Sequence, residues 1–509
     1  MMEVLSNLEP KSVFHFFEEL TKIPHGSRNE KEISDFLVSF AKERNLEVCQ
    51  DKALNVIIKK PGTKGYENAP TVIIQGHMDM VCEKLKDVDH DFEKDPLKLR
   101  IEDDYIYATG TTLGGDDGIA IAYGLAILDS KDIDHPPIEF VATSNEEDGM
   151  EGAFALDTKN LKGKMLINID GEEDGVFIIS CAGGITATTK IKVESEKCEK
   201  EAIKIRVVGL NGGHSGMEIV KQRGNANKLI GRLLYILSKY IDFNIAHIEG
   251  GTKDNAIPRE CSALITLDKN KIEEVKEILS KVQEDLKAEY RVQDPSVEIK
   301  VESSNKVDKH FSKTNTQSII RFLTSVPDGV QSMSQDIKGL VESSLNTAII
   351  NTKEDEVEII SSIRSSVYSR KSEIADKIEA LAEAVDATVK RESEYPGWEY
   401  DKDSKIRDIS VLAYKNLFGV EPAITAIHAG LECGLFKETM KDTDMISFGP
   451  DIIDVHTANE HLKISSVEKY WALLKEILKT LNRYFNVNNW KIDFLVNYKF
   501  MLIIRNQFP

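Results

Sequence analysis

The sequence predicts an α/β domain that is interrupted by an α+β insert and resumes towards the C-terminus. Three observations carry this reading. Residues 1–184 alternate helical and strand patterns in the α/β manner. Residues 185–392 change texture, with alternating strands set between strongly charged helices. Residues 393–485 return to the first texture, so the α/β domain is discontinuous in the chain.

The elements follow in order. "SVFHFFEELTKI" and "NEKEISDFLVSFAKERN" have helical periodicity, whereas "NVIIKK", "TVIIQG" and "IEFVATS" are apolar runs of strand length. "GIAIAYGLAILDS" is apolar on every side and predicts a helix packed on both faces. "KMLINIDGEEDG" is a strand that ends in acids. In the insert, strands such as "AIKIRVVGL" and "EVEIISSIRSS" alternate with helices such as "KIEEVKEILSKVQEDLKAEYR" and "KSEIADKIEALAEAV", which suggests two α+β halves. After "YPGWEYDKDS" come the helix "KIRDISVLAYKNLFG", the strand "DMISFGP" and a closing helix, "SSVEKYWALLKEILKTLNRYF". Residues 486–509 read as an appendage of uncertain order.

With 509 residues the chain is too long for one ordinary core. Hydrophobic residues at 41% and charged residues at 29% describe a globular protein, and the net charge of -20 argues against nucleic acid and against an anionic membrane surface. The six cysteines are scattered singly, without a CxxC pair, so neither a zinc ribbon nor a disulfide framework is indicated. The most apolar run, Gly118–Leu128, has 11 residues and is too short to span a bilayer. "MMEVLSNLEPKS" has no basic stretch leading into an apolar one. Cytoplasm is the expected location.

Chemistry concentrates at five places. "TVIIQGHMDMVC" runs a buried strand into His77 and Asp79, and side chains two apart on an extended chain leave the same face. A carboxylate beside an imidazole can fix the ring's orientation and tautomer for a metal, although a strand-end histidine in a purely structural role has the same pattern. "TTLGGDDGIAIA" puts Asp116 and Asp117 at a helix start, where exposed N–H groups favour acids; an N-cap in a turn is the plain alternative. "EFVATSNEEDGMEGA" ends a strand in Glu146 and Glu147, which alone could be a solvated acidic loop. "MLINIDGEE" sets Asp170 at the end of an apolar strand, where an unpaired carboxylate is costly. "DMISFGPDIIDVHTANEHL" supplies His456, Glu460 and His461.

Taken together, these groups fall where strands end or helices begin, and in a parallel sheet the carboxyl ends line one crevice. Two imidazoles and three carboxylates suit two divalent ions of the zinc, cobalt or manganese kind, with a shared carboxylate between them. Of the neighbours Glu146 and Glu147, one can ligate while the other accepts a proton from bound water.

"GHMDM", "TTLGGDDG", "NEEDGMEGA", "INIDGEE" and "GPDIIDVHTANE" appear in an order that resembles the M20-type di-zinc peptidases, above all the aminoacyl-histidine dipeptidase (Xaa-His dipeptidase, PepD-like) branch. "NGGHSGMEI", "SMSQDIKGLVESSLN" and "HAGLECGLF" are similar to that branch as well, so the resemblance covers residues 5–485. It implies a di-zinc catalytic domain, a mixed sheet with helices on both faces, and an inserted lid. It implies that His77 and Asp170 bind one ion, that Glu147 and His456 bind the other, and that Asp116 bridges them. Asp79 would orient His77, and Glu146 would be the general base that takes a proton from a metal-bridging water and delivers it to the leaving amine.

In the lid the resemblance makes His214 an oxyanion donor, with Asn255 and Arg364 holding the substrate's carbonyl and terminal carboxylate. Where this branch commonly has Ala-Asp-Asn-Gly, the chain has Gly115-Asp116-Asp117-Gly118, an additional acid beside the bridging one. Cys82, Cys433 and His461 read as structural.

The expected activity is metal-dependent hydrolysis of unblocked dipeptides, including Xaa-His and carnosine-like β-alanyl compounds. Two zinc ions are the expected cofactors, with cobalt or manganese as alternatives. A metallo-amidohydrolase acting on N-acyl amino acids would use the same metals. A non-catalytic binding protein would have lost Glu146 or a ligand, and neither is missing. A phosphodiester hydrolase would need basic residues around these motifs, which they lack. The expected partner is a small peptide substrate, without nucleic acid or membrane. Two assemblies stay open, a homodimer and a monomer whose two-part lid replaces the partner's contribution.

Overall fold

The computed structural model describes residues 4–486; residues 487–509, most of the expected appendage, lie outside them. The chain forms two compact units. One takes the described residues up to Ile179 together with Asp401–Ile424 and 439–486; the other takes Ser180–Tyr400 and Thr425–Glu438.

The first unit is built on an eight-stranded mixed sheet. Its strands run in the order Glu47–Gln50, Val56–Lys60, Ile138–Thr143, Val72–His77, Met165–Asn168, Asp444–Ser447, Val176–Cys181 and Ala423–Ile427. Four of them are parallel: Val72–His77 pairs in parallel with Ile138–Thr143 and with Met165–Asn168, which in turn pairs in parallel with Asp444–Ser447. The register sets His77 opposite Thr143, Gln75 opposite Asn168, and Asn168 opposite Ser447, so the four carboxyl ends fall along one edge. Val72, Ile73 and Ile74 are fully buried, in keeping with a strand covered on both faces, and each buried side chain of this size contributes about 1.5–3 kcal/mol.

Helices Lys11–Leu20, Lys31–Glu43, Gly115–Asp129, Lys405–Phe418 and Ile464–Asn486 accompany this sheet. The helix Gly115–Asp129 is buried from Gly115 to Leu128, as its all-round apolar sequence requires. Tyr123 on this helix stacks on Trp471 with ring centroids 6.0 Å apart and donates its hydroxyl to the Val467 carbonyl at 2.8 Å, fastening the closing helix to the centre of the unit. A small four-stranded sheet includes Tyr105–Ala108 and His461–Lys463.

The second unit is an antiparallel nine-stranded sheet with helices Ala226–Ser238, Ile272–Glu289, Lys313–Ser325 and Tyr368–Glu383. The sheet falls into two halves. Strands Glu298–Ser303, Glu201–Val208, Cys261–Leu267 and Phe243–Gly250 form one. Strands Val341–Thr352, Glu356–Ser365, Gly183–Lys192 and Thr388–Tyr395 form the other, with Gly329–Met333 added beside Val341–Thr352. Among the described residues the strand pairing between the halves is short, Glu249 with Asn351 and Gly250 with Ile350.

Candidate metal centre

Every acid or histidine singled out in the five motifs as a ligand or base comes to the carboxyl edge of the parallel strands. His77 is the last residue of its strand. Glu146 and Glu147 follow the strand that ends at Thr143, Asp170 follows the one that ends at Asn168, and His456 lies beyond the one that ends at Ser447. Asp116 sits at the entry to the buried helix, where its backbone and that of Asp117 are not helical. Gly76 permits this approach: a Cβ there would lie 2.4 Å from the Ala120 methyl and 2.5 Å from Asp117 Oδ2.

The distances define two half-sites that share one carboxylate. His77 Nε2 lies 3.0 Å from Asp116 Oδ1 and 3.8 Å from Asp170 Oδ1. His456 Nε2 lies 3.4 Å from the other oxygen, Asp116 Oδ2, and 3.0 Å from Glu147 Oε2. Donor atoms of His77, Asp116 and Asp170 all lie within 4.8 Å of one another, as do those of Asp116, Glu147 and His456. A third grouping of the same dimension joins His77, Glu146 and Glu147.

The electrostatics ask for positive charge at this place. Burial would lower the His77 pKa, but hydrogen bonds to Asp116 and Asp79 raise it well above the ordinary histidine value. Hydrogen bonds to Asp116 and Glu147 lift His456 to about 10. Burial and then repulsion from Asp117 and Asp116 push Asp170 well above the usual carboxylate range. Glu147 Oε1 is buried with no hydrogen-bond partner. A divalent cation meets each demand, because it replaces the imidazole protons, relieves the carboxylate repulsion and accepts the orphaned oxygen. The nitrogen and oxygen donor set suits zinc, cobalt or manganese.

Asp79 is buried behind His77. Its Oδ1 lies 3.5 Å from His77 Nδ1 and accepts the Glu146 amide at 2.9 Å, while its Oδ2 accepts the Ser27 hydroxyl at 2.8 Å and the Glu147 amide at 3.3 Å. His77 Nδ1 also lies 3.0 Å from the Asp79 carbonyl, which settles the ring with Nε2 turned to Asp116. Asp117, the additional acid, is fully buried and its Oδ2 accepts the His77 backbone amide at 3.3 Å.

Glu460, for which its motif alone indicates no role, has one in the structure. Its buried carboxylate accepts four consecutive backbone amides: Oε2 from Leu113 at 2.7 Å and Gly114 at 3.1 Å, Oε1 from Gly115 at 2.7 Å and Asp116 at 3.3 Å. A run of amides converging on one anion is a nest, and here it holds the turn that carries Asp116. The one signal in the sequence was a glycine pair before two acids. Cys433 is fully buried, and His461 stacks on Tyr107 at 4.7 Å and accompanies the small sheet.

The other three expected site residues belong to the second unit. His214 and Asn255 line one cleft of about 910 Å³. His214 Nδ1 accepts the Gly216 amide at 3.2 Å and the Met217 amide at 3.0 Å, so the ring proton resides on Nε2. Burial, and then the Arg364 charge, lower its pKa and keep the imidazole neutral. Arg364 is not among the residues lining that cleft; it is buried and donates Nη1 to the Tyr395 hydroxyl at 2.9 Å. His428, which none of the motifs singles out, is buried with its Nε2 2.7 Å from Ser344 Oγ, and its pKa is lowered to about 3, first by burial and then by the Arg364 charge.

Comparison with known proteins places the chain among peptidases. Residues 73–480 match the model of peptidase family M20/M25/M40. The chain is 38% identical over 482 residues to the cytosol non-specific dipeptidase of Escherichia coli (strain K12), covering 94% of this chain and 99% of that protein. The crystal structure of the aminoacylhistidine dipeptidase from Vibrio alginolyticus matches with a TM-score of 0.90 and 38% identity, over 94% of this chain and 98% of that one. Aminopeptidase PepT from Bacillus cereus, 17% identical with a TM-score of 0.55 over 93% and 99% of the two chains, shares the fold.

Proposed function

The chain belongs to peptidase family M20/M25/M40, and from that membership we infer that it is a cytosolic, metal-dependent dipeptidase of unblocked dipeptides, Xaa-His and carnosine-like compounds among them. The observation that carries the reading is the position of Asp116, whose two oxygens face two imidazoles, each with a second carboxylate of its own. In this reading His77 and Asp170 would hold one divalent ion, His456 and Glu147 would hold the second, and Asp116 would serve both. Zinc is the ion the donor set favours, and cobalt and manganese fit the same donors. When bound, such ions supply Lewis acidity to the scissile carbonyl and make water a nucleophile at neutral pH.

Glu146 is the general base. Its backbone is fixed by Asp79 at 2.9 Å, and its carboxylate lies within 4.8 Å of a His77 ring nitrogen. It takes the proton from the attacking water and returns it to the amine that leaves. Glu147 beside it is turned to His456 at 3.0 Å, so the two neighbours divide the work of ligand and base.

The second unit acts as a lid that holds the substrate. His214 presents Nε2–H, the donor an oxyanion needs, and its lowered pKa keeps it a neutral donor across the physiological range. Asn255 lines the same cleft and serves the carbonyl. Arg364 takes the terminal carboxylate, the partner for which a guanidinium has two parallel donors.

A substrate panel tests the reading. Protein stripped with a chelator and reloaded with Zn2+, Co2+ or Mn2+ is expected to cleave free dipeptides, Xaa-His included, and to leave N-acyl amino acids intact. Cleavage confined to N-acyl amino acids would replace the dipeptidase reading with a deacylase on the same scaffold.

A further inference from the structure

Arg364 is a buried cation without a counter-ion. Among the described residues no carboxylate lies within ion-pair distance of it, and its hydrogen-bonded side chain is Tyr395, which accepts Nη1 at 2.9 Å. Its Nε is buried with no partner. Among the described residues no hydrogen-bond acceptor is paired with Nε or Nη2, and this edge offers the two parallel N–H groups that a carboxylate takes bidentately.

Tyr395 reaches that guanidinium by crossing a strand. Gly184 lies between the two residues in the sheet, paired with Arg364 on one side and with Tyr395 on the other. A Cβ on Gly184 would lie 2.4 Å from Cε1, 2.5 Å from Cζ and 2.7 Å from the hydroxyl of Tyr395. The glycine is a slot through which the phenol lies across the middle strand. A register shift between Glu392 and Tyr395 brings the ring to this position. Lys371 locks it there: this fully buried lysine donates Nζ to the Tyr395 carbonyl at 2.7 Å and to the Gly184 carbonyl at 3.4 Å, with Glu394 at 3.3 Å as its ion-pair partner.

We propose that Tyr395, laid across Gly184 and anchored by Lys371, is the positioning residue that fixes the Arg364 guanidinium with its Nε–Nη2 edge free, and thereby sets the preference for substrates with a free C-terminal carboxylate. The inference rests on the reading of Arg364 as the group that takes that carboxylate. An unheld arginine loses rotamer freedom each time it binds, whereas one held by Nη1 meets its ligand already oriented. Tyr395 needs no contact with the substrate for this effect.

The test compares the KM of a free dipeptide with the Ki of the matching dipeptide amide, which lacks the carboxylate, in wild type, Arg364→Lys, Tyr395→Phe and Gly184→Ala. Tyr395→Phe removes one oxygen and keeps the ring. It is expected to raise KM for the free dipeptide about five- to tenfold, the loss of roughly one hydrogen bond's worth of orientation. The Ki of the amide and kcat should stay within about twofold. Gly184→Ala, which displaces the ring, should give the same acid-specific shift. Arg364→Lys reports separately on the underlying reading and should abolish the discrimination between acid and amide. If Arg364→Lys abolishes discrimination while Tyr395→Phe and Gly184→Ala leave it intact, the positioning role is wrong and the role of Arg364 stands. If Arg364→Lys itself leaves discrimination intact, the carboxylate reading of Arg364 fails and takes the positioning role with it.

Discussion

The Asp79 carboxylate accepts the backbone amide of Glu146 at 2.9 Å while standing 3.5 Å from the Nδ1 atom of His77. One buried acid thus ties the strand-end histidine to the loop that carries Glu146 and Glu147. Burial disfavours its charge, but the His77 interactions and the amide bonds outweigh that and hold it below the usual carboxylate range. Asp79→Asn keeps the volume and loses the charge and one acceptor. We expect a roughly 10- to 100-fold loss in metal affinity or in kcat, the usual effect of removing an outer partner of a metal-bound histidine. Metal content after dialysis and steady-state kinetics read it directly; wild-type values for both would contradict the role.

Glu460 makes a second outer contact, through the backbone amides of Leu113 to Asp116. Glu460→Gln puts an amide NH2 where two backbone N–H groups need an acceptor. The expected cost is about 1–3 kcal/mol in stability, because buried donors are left unsatisfied. Thermal melts of the metal-free variant isolate this effect from metal binding, and an unchanged midpoint would show that the nest holds its turn without the glutamate.

Metal removal should destabilise the fold as well as abolish turnover. A ligand present at 100 times its Kd adds about 2.7 kcal/mol to the state that binds it. Chelation should therefore lower the melting midpoint of the first unit by roughly 5–10 °C, and added Zn2+ should restore it. A midpoint insensitive to chelator would contradict a cation site formed by these residues in the folded chain.

His428 gives the second unit a defined pH response. Its folded pKa is about 3 against an ordinary value of 6.5, so between those values the unfolded chain holds a proton that the native chain does not. Stability then rises with pH, and it is lost as pH falls below 6.5. The slope approaches about 1.4 kcal/mol per pH unit, for a loss of at most roughly 3 kcal/mol by pH 4. His428→Gln should flatten the dependence of the second unit's unfolding between pH 6.5 and pH 4. An unchanged slope in the variant would assign the effect to other groups.

The parallel strands and the acids and histidine at their ends were legible in the sequence because two signals coincide there. Apolar runs of strand length end in acids or histidine, and the physics of a parallel sheet sends those ends to one edge. The all-round apolar helix after Asp116 was legible for a similar reason, since it could be stable only with every face covered. The additional acid at 117 was visible but not its use: Asp117 turns to the His77 amide, a role for which any side-chain oxygen in that place would serve. Glu460 was beyond reach because its four partners lie near residue 114, far away in the chain, and a carboxylate in a nest has no periodic signature. The Arg364–Tyr395 pair was hidden for another reason. It depends on three strands aligning at Gly184, and a glycine in a strand does not announce which ring will cross it.

We propose that Glu146 is the base beside a two-cation centre and is not itself a ligand. The most direct measurement is the Glu146→Gln variant, assayed for bound metal and for dipeptide turnover in the same preparation. Metal is expected near two ions per chain, as in wild type, with kcat reduced by about 10²–10⁴, the contribution of a positioned general base. Metal lost together with activity would make Glu146 a ligand, and turnover retained at wild-type rate with metal bound would remove it from the chemistry.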